Sequence, residues 1–283
     1  MIPTVLNPMG LDDRQPLTLT ALSASSSVTL NATGSPVVSG LKYRTRSGSW
    51  QTYTPGTTVP LSAVGDYVQF WNTAGQLSTG NSNYAQFAMT GTIAGSGNVQ
   101  SLLNFSRQAP NSCFIKLFQS CAALTTAPEL PAASLADNCY AGMFRDCLNL
   151  ESNPSILPAM IMAKNCCQLM FSGCYNISKI PELPATTLAE NCYSAMFSYC
   201  SKIASVSELP ATTLVANCYH SMFYGCSNLK EINVNFTDWN ASNNATTDWV
   251  KSISASGTFS KPSALSEEYG TGRIPTGWTI INK

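Results

Sequence analysis

The middle of the chain carries an apolar pattern that returns at a nearly fixed interval. In the clearest copy, Leu188, Cys192, Met196 and Cys200 follow one another at four-residue spacing. Apolar residues four positions apart share one side of an α-helix, so this spacing predicts a short amphipathic helix in each copy. Because proline is not tolerated in a helix interior, the predicted helix of this copy begins after Pro184.

Pairs of cysteines mark the copies. The two members of each pair are eight residues apart, and the first member advances by 26, 27, 26 and 26 residues from pair to pair. A fixed period of this size indicates one supersecondary unit copied along an axis, which is the signature of a solenoid. The pairs are Cys113 and Cys121, Cys139 and Cys147, Cys166 and Cys174, Cys192 and Cys200, and Cys218 and Cys226.

The segments between the predicted helices, such as Leu124 to Leu130, are too short for a second helix. We interpret each as a strand of a few residues that a proline, for example Pro128, ends or kinks. One strand and one short helix per copy predict a right-handed β-α solenoid with repeats of about 26 residues. Its strands are expected to lie about 4.8 Å apart.

The segment before the repeats has a different pattern. Short alternating apolar and polar runs, separated by turn residues, predict an all-β domain over residues 15–105. A small sandwich is expected, with an incomplete barrel as the alternative. The predicted strands are Leu17–Ala21, Val28–Ala32, Leu41–Arg46, Gln51–Tyr53, Thr58–Leu61, Tyr67–Asn72 and Ala85–Thr90.

Four segments and an α+β fold class follow from these patterns. An N-terminal arm (1–14) precedes the sandwich-like domain (15–105), the solenoid spans 106–232, and a C-terminal cap covers 233–283. Terminal repeats of a solenoid must be covered, and the cap contains large aromatic residues for this purpose. These residues are Trp239, Trp249, Phe259 and Trp278.

The repeat units resemble a known family. The units ELPATTLAENCYSAMFSYCSKI and ELPATTLVANCYHSMFYGCSNL resemble the BspA-like leucine-rich repeats of bacterial surface proteins and of phages. The resemblance is strongest over 110–232. GTFSKPSAL and RIPTGWTIIN are similar to the family's C-terminal cap, and SGSWQTYTPGTTVPL to its N-terminal β-domain. The resemblance implies a leucine-rich-repeat-like solenoid used in adhesion and surface recognition, and it supplies no catalytic motif.

Charge excludes two classes of partner. The chain has 15 basic and 15 acidic residues, and only 11% of its residues are charged. A nucleic-acid binder needs basic residues to neutralise phosphates, and an electrostatic membrane anchor needs a basic cluster. No apolar run approaches the roughly 20 residues that span a bilayer. We therefore expect no nucleic-acid partner and no membrane insertion.

The start of the chain bears on where the protein is displayed. The sequence MIPTVLNPMGLDDR has no basic region followed by a continuous apolar region, so it does not predict a secretory leader. We expect the arm at 1–14 to be held by a docking partner. This favours the surface of a virion, with a bacterial cell surface or extracellular location as the alternative.

The cysteines are expected to be core residues rather than metal ligands. Zinc sites favour cysteines two to four residues apart, whereas the spacing here is eight and the only histidine is His220. A free cysteine on an apolar stripe behaves as a small hydrophobic residue. No metal site and no cofactor is predicted.

A row of glutamates is the strongest catalytic candidate. Glu129, Glu182 and Glu208 occupy one repeat position. Two of them on adjacent coils would approach the roughly 5–5.5 Å that separates the carboxylates of a retaining glycosidase. A recurring glutamate at a strand end is more often solvated or stabilises a turn. The chain is therefore predicted not to be an enzyme, with a carbohydrate-active enzyme as the lesser alternative.

Aromatic and variable residues are the recognition candidates. Aromatic rings anchor protein partners and stack on sugars, yet a tyrosine repeated in each copy also suits packing from coil to coil, and both interpretations stay open. The candidate recognition residues are Tyr140, Tyr193, Tyr219, Trp50, Trp71, Lys179, Glu182 and Glu208.

These patterns lead to one functional hypothesis with two alternatives. The sequence favours a non-enzymatic structural or adhesion protein displayed on a phage virion, whose partner is a protein or glycan on a cell surface. A bacterial cell-surface adhesin of the BspA-like type is the nearest alternative. In a third hypothesis the role is architectural, and the arm or β-domain docks while the solenoid only projects.

Overall fold

The computed structural model of the chain describes residues 15–239 and 243–283. The predicted N-terminal arm, residues 1–14, lies outside the described residues, so its docking stays a prediction. Within the described ranges the strands are β1 (Leu17–Ala21), β2 (Ser26–Thr33), β3 (Leu41–Thr45), β4 (Gln51–Thr52), β5 (Thr58–Leu61), β6 (Tyr67–Asn72), β7 (Tyr84–Thr90), β8 (Ile93–Ser96), β9 (Gln108–Ala109), β10 (Leu124–Thr126), β11 (Ser134–Leu135), β12 (Glu231–Asn233), β13 (Thr258–Lys261) and β14 (Thr279–Asn282). A 3-10 helix spans Val99–Leu103.

The predicted α+β fold class is wrong. The structure is nearly all β, with 28% of residues in strands and 2% helical, and the β-α repeat is not formed. Each predicted helix is instead a run of overlapping β-turns, called a turn ribbon below. The turn ribbons span 112–121, 138–147, 165–174, 191–200, 217–226 and 244–253.

Backbone hydrogen bonds show why a turn ribbon is not a helix. In ribbon 191–200, the N–H of Ser194 donates to the carbonyl of Asn191, three residues back. The next N–H, from Ala195, donates to the carbonyl of His220 in the following ribbon. Alternate residues repeat this choice along the ribbon. Half of the N–H groups therefore close turns, and the other half join neighbouring ribbons.

Left-handed residues give the ribbon its period. Asn191, Ala195 and Tyr199 have φ of 55°, 51° and 63°, so every fourth residue leaves the helical region. An α-helix turns by about 100° per residue, so residues four apart drift by about 40° around it. The four-residue spacing in the sequence fits a ribbon that repeats every four residues without drift. The helix prediction is wrong because it assigned the roughly 3.6-residue period of an α-helix to a pattern that repeats every four residues.

Stacked ribbons place equivalent side chains in columns. The phenylalanine column runs through the core, with neighbouring ring centroids 5.0–6.1 Å apart and ring planes within 14° of parallel. Contacts of this kind join each coil only to its neighbours, as in other repeat architectures. The column contains Phe87, Phe118, Phe144, Phe171, Phe197 and Phe223.

The N-terminal segment forms two packed sheets. One sheet has the order β10-β8-β1-β6-β3-β4, and the other has the order β5-β2-β7. Their inner faces meet where the Phe70 ring lies 5.1 Å from Phe87. Each of the seven strands predicted from alternation overlaps an observed strand. Alternation succeeded here because β1 and β2 bury every second residue.

The β segment covers the first turn ribbon. The N–H of Phe87 donates to the carbonyl of Leu117 at 2.8 Å, and the Phe87 ring stacks on Phe118 at 5.0 Å. Strand β10 also pairs in parallel with β8. Strand β7 therefore acts as the layer before the first ribbon, and the stack has no open end on this side.

The other end of the stack is closed by aromatic residues. Trp249 belongs to the last ribbon, and its ring lies 6.3 Å from Phe223. Trp239 packs at 6.2 Å from Trp249 and at 6.2 Å from Phe259. Strands β12, β13 and β14 form a parallel sheet beside them. The ribbon hydrogen bonds therefore continue past residue 232, the expected end of the solenoid.

Candidate functional site

The eleven cysteines are buried free thiols, and the second member of each pair makes a specific contact. Its S–H group lies 3.0–3.1 Å from the carbonyl of a phenylalanine in the preceding layer. Cys147, for example, donates to Phe118. Two of the first members make a longer and weaker contact: Cys113 Sγ lies 3.9 Å from the Cys139 carbonyl, and Cys139 Sγ lies 3.9 Å from the Cys166 carbonyl. The two cysteine columns therefore differ in chemistry.

Burial favours the protonated form of most of these thiols. It raises the pKa of Cys121, Cys174 and Cys226 to about 12 each. A thiolate is the reactive and metal-binding form, and a thiolate cannot donate a hydrogen bond. Within 15–239 and 243–283, no group of three or more His, Cys, Asp or Glu side chains is arranged to hold a metal ion. The cysteines act as packing groups.

The three repeated tyrosines lie in the core. Tyr140, Tyr193 and Tyr219 are each at most 2% exposed. Tyr193 stacks on Tyr219 with centroids 6.0 Å apart, and Tyr140 stacks on Phe114 at the same distance. The hypothesis that they form an exposed recognition surface is wrong, because ribbon stacking turns this position inward. Packing from coil to coil is the correct interpretation.

The glutamate row lies on the strand side of the coils, where Glu208 is exposed and Glu129 is partly buried. Glu208 accepts a hydrogen bond from Lys283 Nζ at 2.9 Å, and this contact, with one involving Asn235, lowers the pKa of the carboxyl. Desolvation raises the pKa of Glu129. Glu182 and Lys179 are exposed. Glu208 is thus committed to an ion pair.

A shallow groove of about 370 Å³ lies on the outer side of three neighbouring ribbons. We call it the tyrosine groove. Hydroxyl, amide and imidazole groups surround its aromatic rings, and its lining has no carboxylate. Its main lining residues are Gln168, Ser194, Tyr199, His220, Ser221 and Tyr224.

Two tyrosines form the aromatic part of this groove. The Tyr199 ring meets the Tyr224 ring edge to face, with centroids 5.2 Å apart. A side-chain hydrogen bond with Tyr224 raises the pKa of Tyr199. Lys251 Nζ lies 5.6 Å from the centre of the Tyr224 ring. Tyr199 is 49% exposed, so its ring is accessible to a ligand.

Tyr199 occupies a strained backbone position. Its φ of 63° is in the left-handed region, where the two neighbouring ribbons have Gly173 and Gly225 and the other ribbons have Ser120, Asp146 and Ser252. A side chain there costs roughly 1–2 kcal/mol. A Cβ atom on Gly225 would lie 2.8 Å from a carbon of the Tyr199 ring, so that glycine makes room for the ring. Left-handed residues recur at every fourth ribbon position, among them Leu169 and Ala195, so Tyr199 is distinguished by its exposed ring and its contact with Tyr224.

A second aromatic cluster lies on the six-stranded sheet. Trp50 and Trp71, both predicted as candidates, meet edge to face with centroids 5.9 Å apart. Lys42 Nζ lies 5.7 Å from the centre of the Trp71 ring, and the Arg44 guanidinium lies 4.8 Å from that of Trp50. We call these four residues the tryptophan platform.

Sequence reasoning found the platform tryptophans and missed the tyrosine groove. It selected the tyrosine that repeats, at 193 and 219, rather than those that do not repeat. The signal was present at Tyr199, which stands where the other ribbons have a glycine or a small polar residue, namely Ser120, Asp146, Gly173, Gly225 and Ser252. A large aromatic ring departs from this set, and only recognition of the turn ribbon makes that departure visible.

Comparisons with known proteins give no relative from which a function could be inferred. No family model, no curated protein and no solved structure matches the chain. Within the two ranges that the structure describes, no helix is long and apolar enough to cross a membrane.

Proposed function

We propose that this chain is a non-enzymatic adhesion protein, displayed on a virion surface, that binds saccharide chains of a cell envelope through the tyrosine groove. The observation that carries the proposal is Tyr199, an exposed ring that meets the Tyr224 ring edge to face at the groove. A bacterial cell-surface adhesin of the BspA-like type is the alternative, in keeping with the resemblance of the repeats.

The chemistry of the groove supports a saccharide ligand. Aromatic rings offer apolar faces to the C–H groups of a sugar ring, and neighbouring polar groups bind its hydroxyls. Gln168, His220 and Ser221 provide an amide, an imidazole and a hydroxyl at the groove. A shallow, open groove also suits an extended chain better than a small enclosed molecule.

The same groups support binding rather than catalysis. A serine nucleophile needs a base within hydrogen-bond reach. Among the hydrogen bonds of the described residues, none joins His220 to Ser194 or Ser221. The groove lining has no carboxylate for general acid catalysis. The Glu208 carboxylate, the other catalytic candidate, pairs with Lys283.

Binding to an array of cell-envelope and host glycans tests this proposal. We expect the full chain to bind a subset of neutral glycans, and Tyr199→Ala to lower affinity at least about tenfold, as loss of a central aromatic anchor does. Tyr269→Ala is the matched control, because Tyr269 is 53% exposed and lies outside the groove. Equal binding by the wild type and Tyr199→Ala would contradict the proposal.

The display site requires a separate measurement. Electron microscopy with an antibody against the turn ribbons would locate the protein on native particles and cells. Label on a virion supports the first proposal, and label on a bacterial envelope supports the adhesin. If truncation of residues 1–14 releases a labelled protein that still binds glycan, the arm docks and the groove binds independently.

A further inference from the structure

The tryptophan platform has a chemistry that the tyrosine groove lacks, namely two cations that pair with no acidic side chain of the described residues. We propose that it is a second binding site, specific for a sugar that carries a carboxylate or sulfate group. The inference is independent of the tyrosine groove. It rests on the sheet register, on the positioning of Arg44 and on the local charge.

Sheet register places the platform residues on one face. Lys42 lies directly opposite Trp71, and Arg44 directly opposite Gln69, in the antiparallel pair of β3 and β6. Residues two apart on a strand share a face, so the side chains of these two cross-strand pairs project from the same side. Trp50 precedes β4, the strand next to β3 at the sheet edge. The platform is therefore built on paired strands rather than on a loop alone.

A chain of hydrogen bonds holds Arg44 in place. Its Nε donates to Gln69 Oε1 at 2.6 Å, and Gln69 Nε2 donates to Thr18 Oγ1 at 3.0 Å. Thr18 in turn donates to the carbonyl of Pro16. Gln69 is buried, so this support is rigid. The terminal nitrogens of the guanidinium form no hydrogen bond with the described residues, and they remain able to bind an anion in bidentate fashion.

The aromatic rings are also fixed. Trp71 Nε1 donates to Asn104 Oδ1 at 3.3 Å, and the Trp50 and Trp71 rings meet at 70°. Both indoles are partly exposed. Each ring has a cation beside it, so apolar area and positive charge occur together. A sugar ring bearing an anionic group matches both features.

Local charge favours an anion. Residues 15–105 contain three basic residues, Lys42, Arg44 and Arg46, and one acidic residue, Asp66. None of the three basic side chains forms an ion pair with a described acidic residue. Three cations at one sheet edge are few for a nucleic acid, whose binding neutralises a series of phosphates. An acidic glycan needs one or two.

Biolayer interferometry on the full chain tests the platform. The probes are hyaluronate, dextran sulfate, uncharged dextran and a single-stranded DNA oligomer. We expect binding to at least one anionic polysaccharide, no binding to uncharged dextran, and a loss of about tenfold in Arg44→Gln, typical of a hydrogen bond to a charged group. Trp50→Ala is expected to lower affinity similarly.

Two control variants make the test specific. Arg46→Gln removes the same charge from an exposed neighbour that has no ring contact, and it is expected to change affinity less than about threefold by screening. Tyr199→Ala is expected to bind the anionic probe as the wild type does. Equal losses in Arg44→Gln and Arg46→Gln would overturn the proposal, as would tighter binding to DNA than to either polysaccharide. Absence of binding to both anionic polysaccharides would also overturn it.

Discussion

Tyr193 and Tyr199 lie in the same turn ribbon and show the two sides of the structure. Tyr193 recurs in the next ribbon as Tyr219, stacks on it, and is 2% exposed. Tyr199 has Gly173 and Gly225 at the equivalent positions of the two neighbouring ribbons, and it is 49% exposed. The same residue type therefore packs the inside at one position and lines a groove at the other.

This difference teaches how to interpret a repeat. Residues that return in every copy build the columns between ribbons, because each column needs the same shape at each level. Residues that depart from the repeat gain nothing from a column, and their presence needs another reason. The following predictions test this contrast between inner and outer positions, beginning with the largest effect.

Alkaline pH should unfold the chain, because the inner side of the ribbons contains the buried thiols. Ten of the eleven thiols have a raised pKa in the folded chain. The unfolded chain loses these protons first, so their stabilisation is complete below about pH 9 and declines as the pH rises towards the folded values near 12. Each thiol then costs on the order of 1 kcal/mol at about pH 10.

The summed cost for the ten thiols is then comparable to the free energy of unfolding of a typical domain, roughly 5–15 kcal/mol. We expect circular dichroism to show unfolding near about pH 10, with thiolate absorbance rising in the same transition. Thiolate absorbance that rises before the structure is lost would show that the thiols titrate in the folded state, contrary to this account.

Substitution of neighbouring inner and outer rings should separate the two sides. Phe197→Ala removes a ring from the phenylalanine column and is expected to lower the free energy of unfolding by about 3–5 kcal/mol. Tyr175→Ala removes a ring that is 48% exposed and is expected to change it by less than about 0.5 kcal/mol. Denaturant titration measures both. Similar losses in the two variants would break the comparison.

The two cysteine columns should respond differently to serine. In Cys147→Ser the hydroxyl replaces a thiol that donates to the Phe118 carbonyl. In Cys139→Ser the nearest acceptor to the original sulfur, the Cys166 carbonyl, lies 3.9 Å away, so the hydroxyl is left poorly satisfied. Cys139→Ser should therefore be less stable than Cys147→Ser by about 1–3 kcal/mol. The reverse order in thermal or chemical unfolding would count against the donor role.

Replacing Tyr199 with glycine should abolish glycan binding and give a more stable chain than replacing it with alanine. Tyr199→Gly and Tyr199→Ala both remove the ring, but only glycine relieves the left-handed strain of roughly 1–2 kcal/mol. Part of this gain is offset by the greater freedom of glycine in the unfolded chain, roughly 0.4–1 kcal/mol. The free energy of unfolding should therefore be about 1 kcal/mol larger for Tyr199→Gly than for Tyr199→Ala. Both should lose glycan binding, and retained binding in either would separate the strain from function.

The smallest effect is expected on the exposed strand side. Glu208→Gln removes the ion pair with Lys283, and an exposed pair contributes at most about 1 kcal/mol. High salt should reduce the difference between wild type and variant. Because the folded pKa of Glu208 is lowered, its contribution is present above the unfolded pKa and is lost as the pH falls through the folded value. A wild-type–variant difference that grows at high salt would contradict this assignment.

Much of the β segment could be predicted from the sequence, whereas the ribbons could not. Alternation located β1 and β5 at their observed bounds, because a strand with one buried face repeats every two residues. A spacing of four, in contrast, suits both an α-helix and a turn ribbon. The distinguishing signal was the asparagine before Cys192 and Cys218, since asparagine tolerates left-handed φ.

The candidate sites were predictable in part. Trp50 and Trp71 were identified from residue type, but their contact depends on the pairing of three strands, β4, β3 and β6, which no local pattern reports. The tyrosine groove depends on which side of a ribbon each position faces. With the helix period assumed, the pattern leaves Tyr193 open to either side and does not draw attention to Tyr199.

The hydrogen bonds between ribbons also bear on how the chain folds during synthesis. The N–H of Phe118 pairs with the carbonyl of Met143, and that of Phe144 with Met170, so partners lie within one repeat of each other along the chain. Each added coil therefore closes a loop of about the same length as the one before, so the entropy cost of adding a coil does not grow as the stack lengthens. With the β segment emerging first, each new coil can add to the one before as it leaves the ribosome. Only one edge of the growing stack is then exposed at a time, until Trp249 closes it.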